Sequence, residues 1–324
     1  MIKLEYFDQA LVDMHFDRLG KHAGGRLDDL VLKQLDAKTR KHVSKSDLDD
    51  MVVYFRSNLQ QILVAQPAQL RKFIAKTSKN KTLAWLEAIL SKDAKDRDEW
   101  EQDIVAGLLW VFDYDAFSGW AHSGWNAYQL VDEHKLRICP YCHTSHLNYH
   151  VHGSKDMRPP LDHFYPRSRY PYLGTSLYNL IPSCYQCNSS IKGAENPLLK
   201  ALTHPFEIGK KSVKFRLRLA DGTRLQPNAE KVAAKQIKIE VLGTGTAQAS
   251  VDFFILQQRY QWYTREIAEV HSRVLSQLDA GGTLAHLVGV KRFVYGFRES
   301  EVRDYALGIC IKDIADSLIS SYSP

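Results

Sequence analysis

Apolar side chains in the first part of the chain recur at the spacing of a helix. The clearest stripe repeats at intervals of four and three residues and consists of Leu48, Val52, Phe55, Leu59 and Ile62. Ser46 and Asp49 resemble a capping box at its start, and Pro67 fits the first turn of a following helix. Two further segments, a connection and a short helix, are predicted at 113–119 and 125–134. We therefore expect a helical N-terminal region over residues 1–135.

A different pattern, strict alternation, appears near the start of the last third of the chain. Apolar residues from Val213 to Leu219 alternate with three cationic residues, which predicts a strand with one charged face. The Asp221-Gly222 pair then predicts a turn, and a second strand is expected to end at Gly243.

Helical spacing returns after these strands. One long helix is predicted from about residue 250 to 279, where Gly281-Gly282 would stop it, and a last helix from about 299 to 320. The strands and helices together predict an α+β C-terminal region over residues 205–324. The fold class expected for the whole chain is α+β.

Composition and charge indicate a globular protein with one basic segment. The chain has 324 residues, of which 44% are hydrophobic and 25% charged, as in ordinary globular proteins. Its net charge is +6, and the segment from Lys135 to Lys214 alone contains eleven Lys and Arg against four Asp and Glu. This local positive charge is typical of a surface that meets a polyanion, although a solvated basic surface has the same composition. The chain shows no signal-peptide pattern and no long apolar run, so we expect a cytoplasmic protein.

Four of the five cysteines form two Cys-x-x-Cys pairs, Cys139 with Cys142 and Cys184 with Cys187. In a reducing cytosol this spacing is more typical of metal ligands than of disulfides, and four thiolates complete a closed tetrahedral zinc site. A closed site has no position for substrate, so we predict a structural zinc. Free thiols or a redox pair are the alternative, and His143 and His146 are alternative ligands.

Between and beside these pairs lie residues suited to phosphodiester hydrolysis. That reaction needs a base to deprotonate water and a cation to stabilise negative charge. Histidine is a suitable base near neutral pH, which makes His163 the candidate. Asp162 and Asn188 offer hard oxygen ligands of the kind that Mg²⁺ or Mn²⁺ prefers.

The order and spacing of these residues resemble the HNH endonucleases, in the subgroup whose last histidine is an asparagine. The matching text is Cys139-Pro-Tyr-Cys142, Asp162-His163-Phe-Tyr-Pro166, Asn179-Leu-Ile-Pro-Ser-Cys184 and Cys187-Asn188-Ser-Ser-Ile-Lys192-Gly193. It covers about one sixth of the chain. Bacterial anti-phage HNH effectors, such as the nucleases of Septu and of some retrons, look similar through this segment.

The resemblance implies a zinc-stabilised ββα-metal nuclease module at residues 136–204 and specific roles within it. His163 would be the general base, while Asp162 and Asn188 would hold the divalent ion. Asn179 would hydrogen-bond the backbone that positions His163. Contacts to phosphate are expected from three cations, Lys192, Arg167 and Arg169. Strict strand alternation would send Asp162 and His163 to opposite faces, so the strand is expected to twist or end near them.

We therefore predict a metal-dependent endonuclease acting on nucleic acid, with DNA favoured over RNA, and a role in anti-phage defence. Two alternatives remain open. One is a non-catalytic zinc-ribbon module that only binds nucleic acid. The other is a regulated nuclease subunit that cuts RNA or tRNA with an ATPase or sensor partner, because the chain has no P-loop of its own.

Overall fold

The computed structural model describes residues 1–119, 124–153, 156–209, 211–225, 231–279 and 287–322. It contains both helices and two small antiparallel sheets, which confirms the α+β class. No helix of these described residues is long and apolar enough to cross a membrane.

The N-terminal region is helical, as predicted. Its described α-helices are α1 (Gln9–Asp29), α2 (Lys45–Ser57), α3 (Leu59–Val64), α4 (Pro67–Ser78), α5 (Ala84–Ser91), α6 (Glu99–Val111), α7 (Tyr114–Gly119) and α8 (Ala127–Glu133). Short turns of other helix types follow α1 at Leu30–Gln34 and Thr39–Lys41, and lie beside α5 at Lys81–Leu83 and Ala94–Asp96. The prediction of a mere connection at 113–119 was wrong, because this segment forms α7.

Two local signals in this region had different outcomes. The cap of α2 is Ser44, whose Oγ accepts a hydrogen bond from the backbone N of Asp47 at 3.0 Å, so the predicted Ser46 cap was two residues late. Asn58 then interrupts the predicted stripe and divides it between α2 and α3. Pro67 occupies the first turn of α4, as predicted.

The middle segment forms a strand pair followed by a helical turn. Strand β1 (Leu161–His163) pairs antiparallel with β2 (Leu180–Pro182), and Asp162 lies opposite Ile181. Turns at Pro171–Leu173 and Leu177–Asn179 lie between the strands, and a π-helical segment follows at Gln186–Lys192. A strand, a second strand and a helical segment therefore follow one another in the order that a ββα module would have.

The two strands predicted in the C-terminal region are confirmed. Strand β3 (Val213–Leu219) pairs antiparallel with β4 (Ile237–Gly243), and Val213 lies opposite Gly243. A short turn at Ala234–Gln236 leads into β4. Gln261 and Gln257 accept hydrogen bonds from the backbone N atoms of Ile239 and Val241, so these two side chains satisfy one edge of β4.

The long helix predicted at about 250–279 is broken in the structure. It consists of α9 (Ala247–Phe253), α10 (Leu256–Tyr260), a turn at Gln261–Tyr263 and α11 (Thr264–Asp279). Ile255 separates α9 from α10 with a φ of 47°, a left-handed conformation that a helix cannot contain. The predicted stop at Gly281-Gly282 lies outside the described residues.

The end of the chain also differs from its prediction. Helix α12 (Leu287–Tyr295) and a turn at Glu299–Glu301 precede α13 (Gly308–Tyr322), so the last helix begins later than the expected residue 299. Leu307 has a φ of 62°, and its backbone N donates to His143 O at 2.9 Å. That bond attaches the start of α13 to the middle segment.

Aromatic packing joins the N-terminal helices to the middle segment. The fully buried ring of Phe55 lies 6.1 Å from that of Phe112 and 5.3 Å from that of Tyr172, measured between centroids. Arg97 adds a polar link, because it donates to Ser168 O as well as to Ile89 O in α5. Residues of all three predicted regions thus contribute to one continuous apolar core.

Replacing Phe55 with alanine should therefore destabilise more than one region at once. We expect Phe55→Ala to lower the free energy of unfolding by about 3–5 kcal/mol, because a buried aromatic ring leaves a cavity. Val53→Ala on the same helix is the matched control, because Val53 is 60% exposed. Urea unfolding followed by circular dichroism measures both; equal costs would show that Phe55 does not join the regions.

Candidate functional site

The four paired cysteines converge on one point. Their sulfur atoms all lie within 4.8 Å of one another, and the sulfurs of Cys142 and Cys184 are 4.0 Å apart. A tetrahedral zinc with Zn–S bonds of about 2.3 Å requires sulfurs about 3.8 Å apart, so this arrangement could hold a zinc-like metal ion. Cys139, Cys142 and Cys187 are buried, which suits a closed structural site.

Backbone hydrogen bonds shape the first cysteine pair. The backbone N of His143 donates to Cys139 O at 2.9 Å, and His143 has a φ of 56° that closes the turn. Its ring lies near Arg303 O, at 3.4 Å, and neither His143 nor His146 belongs to the sulfur cluster. The expected ligand set is thus the four cysteines.

Polar side chains surround the sulfur cluster. Thr144 Oγ1 donates to Cys142 Sγ at 3.2 Å, and Arg259 Nη1 donates to Cys187 Sγ at 3.3 Å. Hydrogen bonding from Cys139 lowers the pKa of Cys142 and of Cys184, whereas burial raises the pKa of Cys139, so a full set of thiolates requires the metal ion itself. Four thiolates on a divalent ion carry two negative charges, and the Arg259 guanidinium offsets part of them.

A second cluster of contacts forms around the backbone of the turn at 173–175. Asn179 Nδ2 lies 3.0 Å from Leu173 O, His163 Nε2 lies 2.9 Å from Gly174 O, and His15 Nε2 lies 2.9 Å from Thr175 O. Three consecutive carbonyls thus accept hydrogen bonds from three side chains.

Gly174 itself is required at this turn by close packing. A Cβ atom there would lie 2.5 Å from Phe112 O, at the end of α6, which is closer than atoms can pack. The carbonyl that meets His163 is therefore fixed in position by the N-terminal helices.

His163 is held neutral and in one tautomer. Because Gly174 O can only accept, Nε2 carries the proton and Nδ1 keeps its lone pair. Burial lowers the pKa of His163 to about 3, so the imidazole is neutral at neutral pH. The ring of Tyr114 from α7 packs edge-on against it, at 4.6 Å between centroids.

Asn179 connects the end of β1 to the 173–175 turn. Its Oδ1 accepts from Tyr165 N at 2.7 Å, and its Nδ2 donates to Tyr165 O and to Leu173 O. The side chain is fully buried, so water does not compete for these bonds. Asn179 therefore bonds the backbone two residues after His163 and the backbone of the 173–175 turn, which is the kind of contact that the family resemblance implies.

Asp162 points away from His163 and is engaged by protein groups. Its Oδ2 accepts from Tyr141 OH at 2.6 Å, and its Oδ1 lies 2.9 Å from Lys192 Nζ. Lys192 also donates to His163 O at 2.8 Å, and the side chains of both Asp162 and Lys192 are buried. Lys192 thus bonds the Asp162 carboxylate and the His163 backbone, whereas the His163 ring bonds Gly174 O instead. Lys192 is an internal counter-ion, which corrects its predicted role at phosphate.

The remaining predicted residues lie in different environments. Arg169 is paired with Glu87, so its charge is also used internally. Arg167 is 44% exposed and lies 3.3 Å from the exposed Asp115. Asn188 is half-buried in the π-helical segment, one turn before Lys192, and its carboxamide has no hydrogen-bond partner among the described residues.

Three residues at this site were not identified from sequence. Tyr114 lies in a segment that was predicted to be a connection, His15 lies on α1, and Arg158 precedes β1 in a stretch without a motif. The sequence shows that Arg158 is a cation, but it does not indicate that this residue lies near His163. Proximity created by folding, rather than any local pattern, brings these side chains to His163 and its turn.

Comparison with models of protein families, with curated proteins and with solved structures gave no match to this chain. The α+β architecture and a four-cysteine group that could hold a zinc-like metal are observed directly. Assignment to the HNH endonucleases remains a proposal that rests on this chain's own residues.

Zinc content tests the sulfur cluster. We expect about one zinc ion per chain after purification without chelators, and loss of that zinc with a lower melting temperature in Cys187→Ser. Cys310→Ser is the matched control, because Cys310 is buried but lies outside the cluster. Elemental analysis and thermal unfolding measure both effects. Unchanged zinc content in Cys187→Ser would exclude the site.

The protonation state of His163 is a separate test. Its folded pKa of about 3 lies below the ordinary value of about 6.5, so the unfolded chain binds the proton first as pH falls. His163 therefore opposes folding increasingly below about pH 6.5, and its ring should stay in the neutral Nε2–H form down to about pH 5. Histidine ¹⁵N NMR, with His163→Gln to assign the signals, measures this; a midpoint near 6.5 would contradict it.

Proposed function

We propose that this chain is a metal-dependent endonuclease of the HNH type that hydrolyses phosphodiester bonds in nucleic acid, with DNA favoured. The observation that carries the proposal is His163, a neutral imidazole whose Nε2 is fixed by Gly174 O and whose Nδ1 keeps its lone pair. The fixed orientation matters because a general base must meet water in one geometry.

In this mechanism Nδ1 of His163 takes a proton from the water that attacks phosphorus. The resulting imidazolium is stabilised by its Nε2–H bond to Gly174 O. Asn179 holds the 173–175 turn against the backbone that follows β1, because it bonds both Leu173 O and Tyr165 N. General base catalysis of this kind contributes about 10²–10⁴-fold in rate.

A divalent cation, Mg²⁺ or Mn²⁺, would supply charge stabilisation at the phosphate and leaving oxygen when bound. Asn188 fits the role of a ligand, because its carboxamide oxygen is available among the described residues. Asp162 fits only if Lys192 or Tyr141 releases one of its oxygens. Asn188 is therefore the stronger of the two candidate ligands.

A second candidate function is a zinc-stabilised module that binds nucleic acid without cutting it. The buried pair of Asp162 and Lys192 favours it, because an ammonium group already occupies the side of the carboxylate where a cation would bind. A cytoplasmic role as an anti-phage effector, alone or with an ATPase or sensor partner, rests on the family resemblance only and is part of the same proposal.

A cleavage panel tests the two candidates. Supercoiled plasmid, single-stranded DNA and total tRNA would be incubated with the purified chain in Mg²⁺, Mn²⁺ or EDTA. We expect divalent-dependent cleavage of at least one substrate, and a loss of about 10²–10⁴-fold in rate for His163→Ala. His146→Ala is the matched control, because His146 is exposed and outside both clusters.

The outcomes separate the candidates cleanly. Wild-type rate in a folded His163→Ala protein would remove His163 as the base. Binding of nucleic acid without cleavage of any substrate would favour the non-catalytic module. Withholding Mg²⁺ and Mn²⁺ should stop cleavage with no change in melting temperature, whereas removing zinc should lower that temperature.

A further inference from the structure

Arg158 is half-buried and has only uncharged hydrogen-bond partners, a property that it shares with the buried Arg97 but not with three other arginines. Arg26 pairs with Asp113, Arg71 with Glu207 and Arg169 with Glu87. The hydrogen-bond partners of Arg158 are neutral oxygen atoms of Pro159, Tyr114 and Ser118, and its guanidinium carbon lies 5.4 Å from the centre of the Tyr128 ring. No carboxylate of the described residues lies within ion-pairing distance of its guanidinium, so its positive charge is uncompensated.

This charge lies beside the candidate base. The Tyr114 hydroxyl accepts from Arg158 Nη2 at 3.4 Å, while the Tyr114 ring packs on His163 at 4.6 Å. Tyr114 is therefore in direct contact with both side chains and sets their relative position.

Arg167 adds a second cation around the same ring. Its guanidinium carbon lies 5.9 Å from the centre of the Tyr114 ring. Its carboxylate partner, Asp115, is 79% exposed, and exposed pairs of this kind contribute little to stability because water and salt screen them. An incoming anion can therefore replace Asp115 at little cost.

We propose that Arg158 and Arg167 form a phosphate-binding subsite for the nucleic-acid backbone next to His163, with Tyr114 as the residue that positions Arg158. This inference rests on the proposed function and names the groups that would hold its substrate. Guanidinium groups suit the task because their planar N–H donors match phosphate oxygens in pairs. Neutral His163 neither attracts nor repels a phosphate anion. The Asp115 carboxylate repels the phosphate until the phosphate takes its place beside Arg167.

Salt dependence of binding tests the subsite without requiring cleavage. Binding of short fluorescein-labelled single-stranded and duplex DNA would be measured by anisotropy between about 50 and 200 mM NaCl, without Mg²⁺ or Mn²⁺, so that the proposed nuclease does not cut and His163 stays in place. We expect Arg158→Gln and Arg167→Gln each to weaken binding and to reduce the slope of log K against log salt by about one.

Matched variants separate a phosphate contact from a structural effect. Arg216→Gln removes the same charge from an exposed position on β3 and should leave binding nearly unchanged. Arg158→Lys keeps the charge but not the paired donors, and should restore the slope with only part of the affinity. Tyr114→Phe keeps the ring on His163 and should weaken binding less than Arg158→Gln.

Two results would overturn the subsite: unchanged affinity and slope in both glutamine variants, or weaker binding with an unchanged slope, which indicates a structural role. Stronger displacement of the DNA by inorganic phosphate than by chloride at equal ionic strength is the result expected of a subsite that recognises phosphate oxygens. If the wild-type chain cuts nothing but the glutamine variants lose slope, the nuclease proposal falls and the phosphate subsite stands.

Discussion

The candidate site depends on one constraint, the fixed position of three consecutive carbonyls at residues 173–175. Each accepts from a different side chain, Asn179, His163 or His15, and close packing on Phe112 O excludes any residue but glycine at the centre. His15 uses both ring nitrogens, because its Nδ1 accepts from the Trp125 indole at 2.9 Å. Burial lowers the pKa of His15 to about 4, which keeps it in the neutral form these two bonds require. The N-terminal helices thus help to orient His163, although they carry no recognisable catalytic motif.

Asp162 connects the two cysteine-bearing segments to β1. Tyr141, which lies between Cys139 and Cys142, donates to one carboxylate oxygen, and Lys192, at the end of the segment that carries Cys187, bonds the other. Breaking a buried ion pair by removing one partner typically costs about 3–5 kcal/mol, because the other charge is left unpaired. Asp162 therefore acts as a structural contact between the sulfur cluster and the strand that presents His163. Because side chains alternate along a strand, one face of β1 serves this contact and the other serves the base.

Local patterns predicted what depends on local physics. The period-two pattern from Val213 to Leu219 predicted β3, because alternating burial is a property of any strand with one covered face. The Cys-x-x-Cys spacing predicted the sulfur cluster, because a short turn brings two cysteines of such a pair to one metal ion. The helix from 250 to 279 was not correctly predicted, because nothing in its apolar spacing indicates that Ile255 adopts a left-handed conformation. The contacts of Tyr114, Arg158 and His15 could not be predicted either, since they exist only after distant segments have packed together.

The buried Lys192 bears directly on how a divalent cation would bind. Its ammonium lies 2.9 Å from Asp162 Oδ1 and is fully buried, so a second cation at the same carboxylate would meet strong repulsion in a poorly solvated space. Displacing Lys192 from Asp162 would leave a buried ammonium group without a carboxylate partner, which strongly destabilises the folded chain. Under the proposed function, a cation held by Asn188 together with phosphate oxygens and water would avoid both costs. For the proposed nuclease, this charge arrangement would favour an ion that enters with the phosphate over a resident ion held by two protein oxygens.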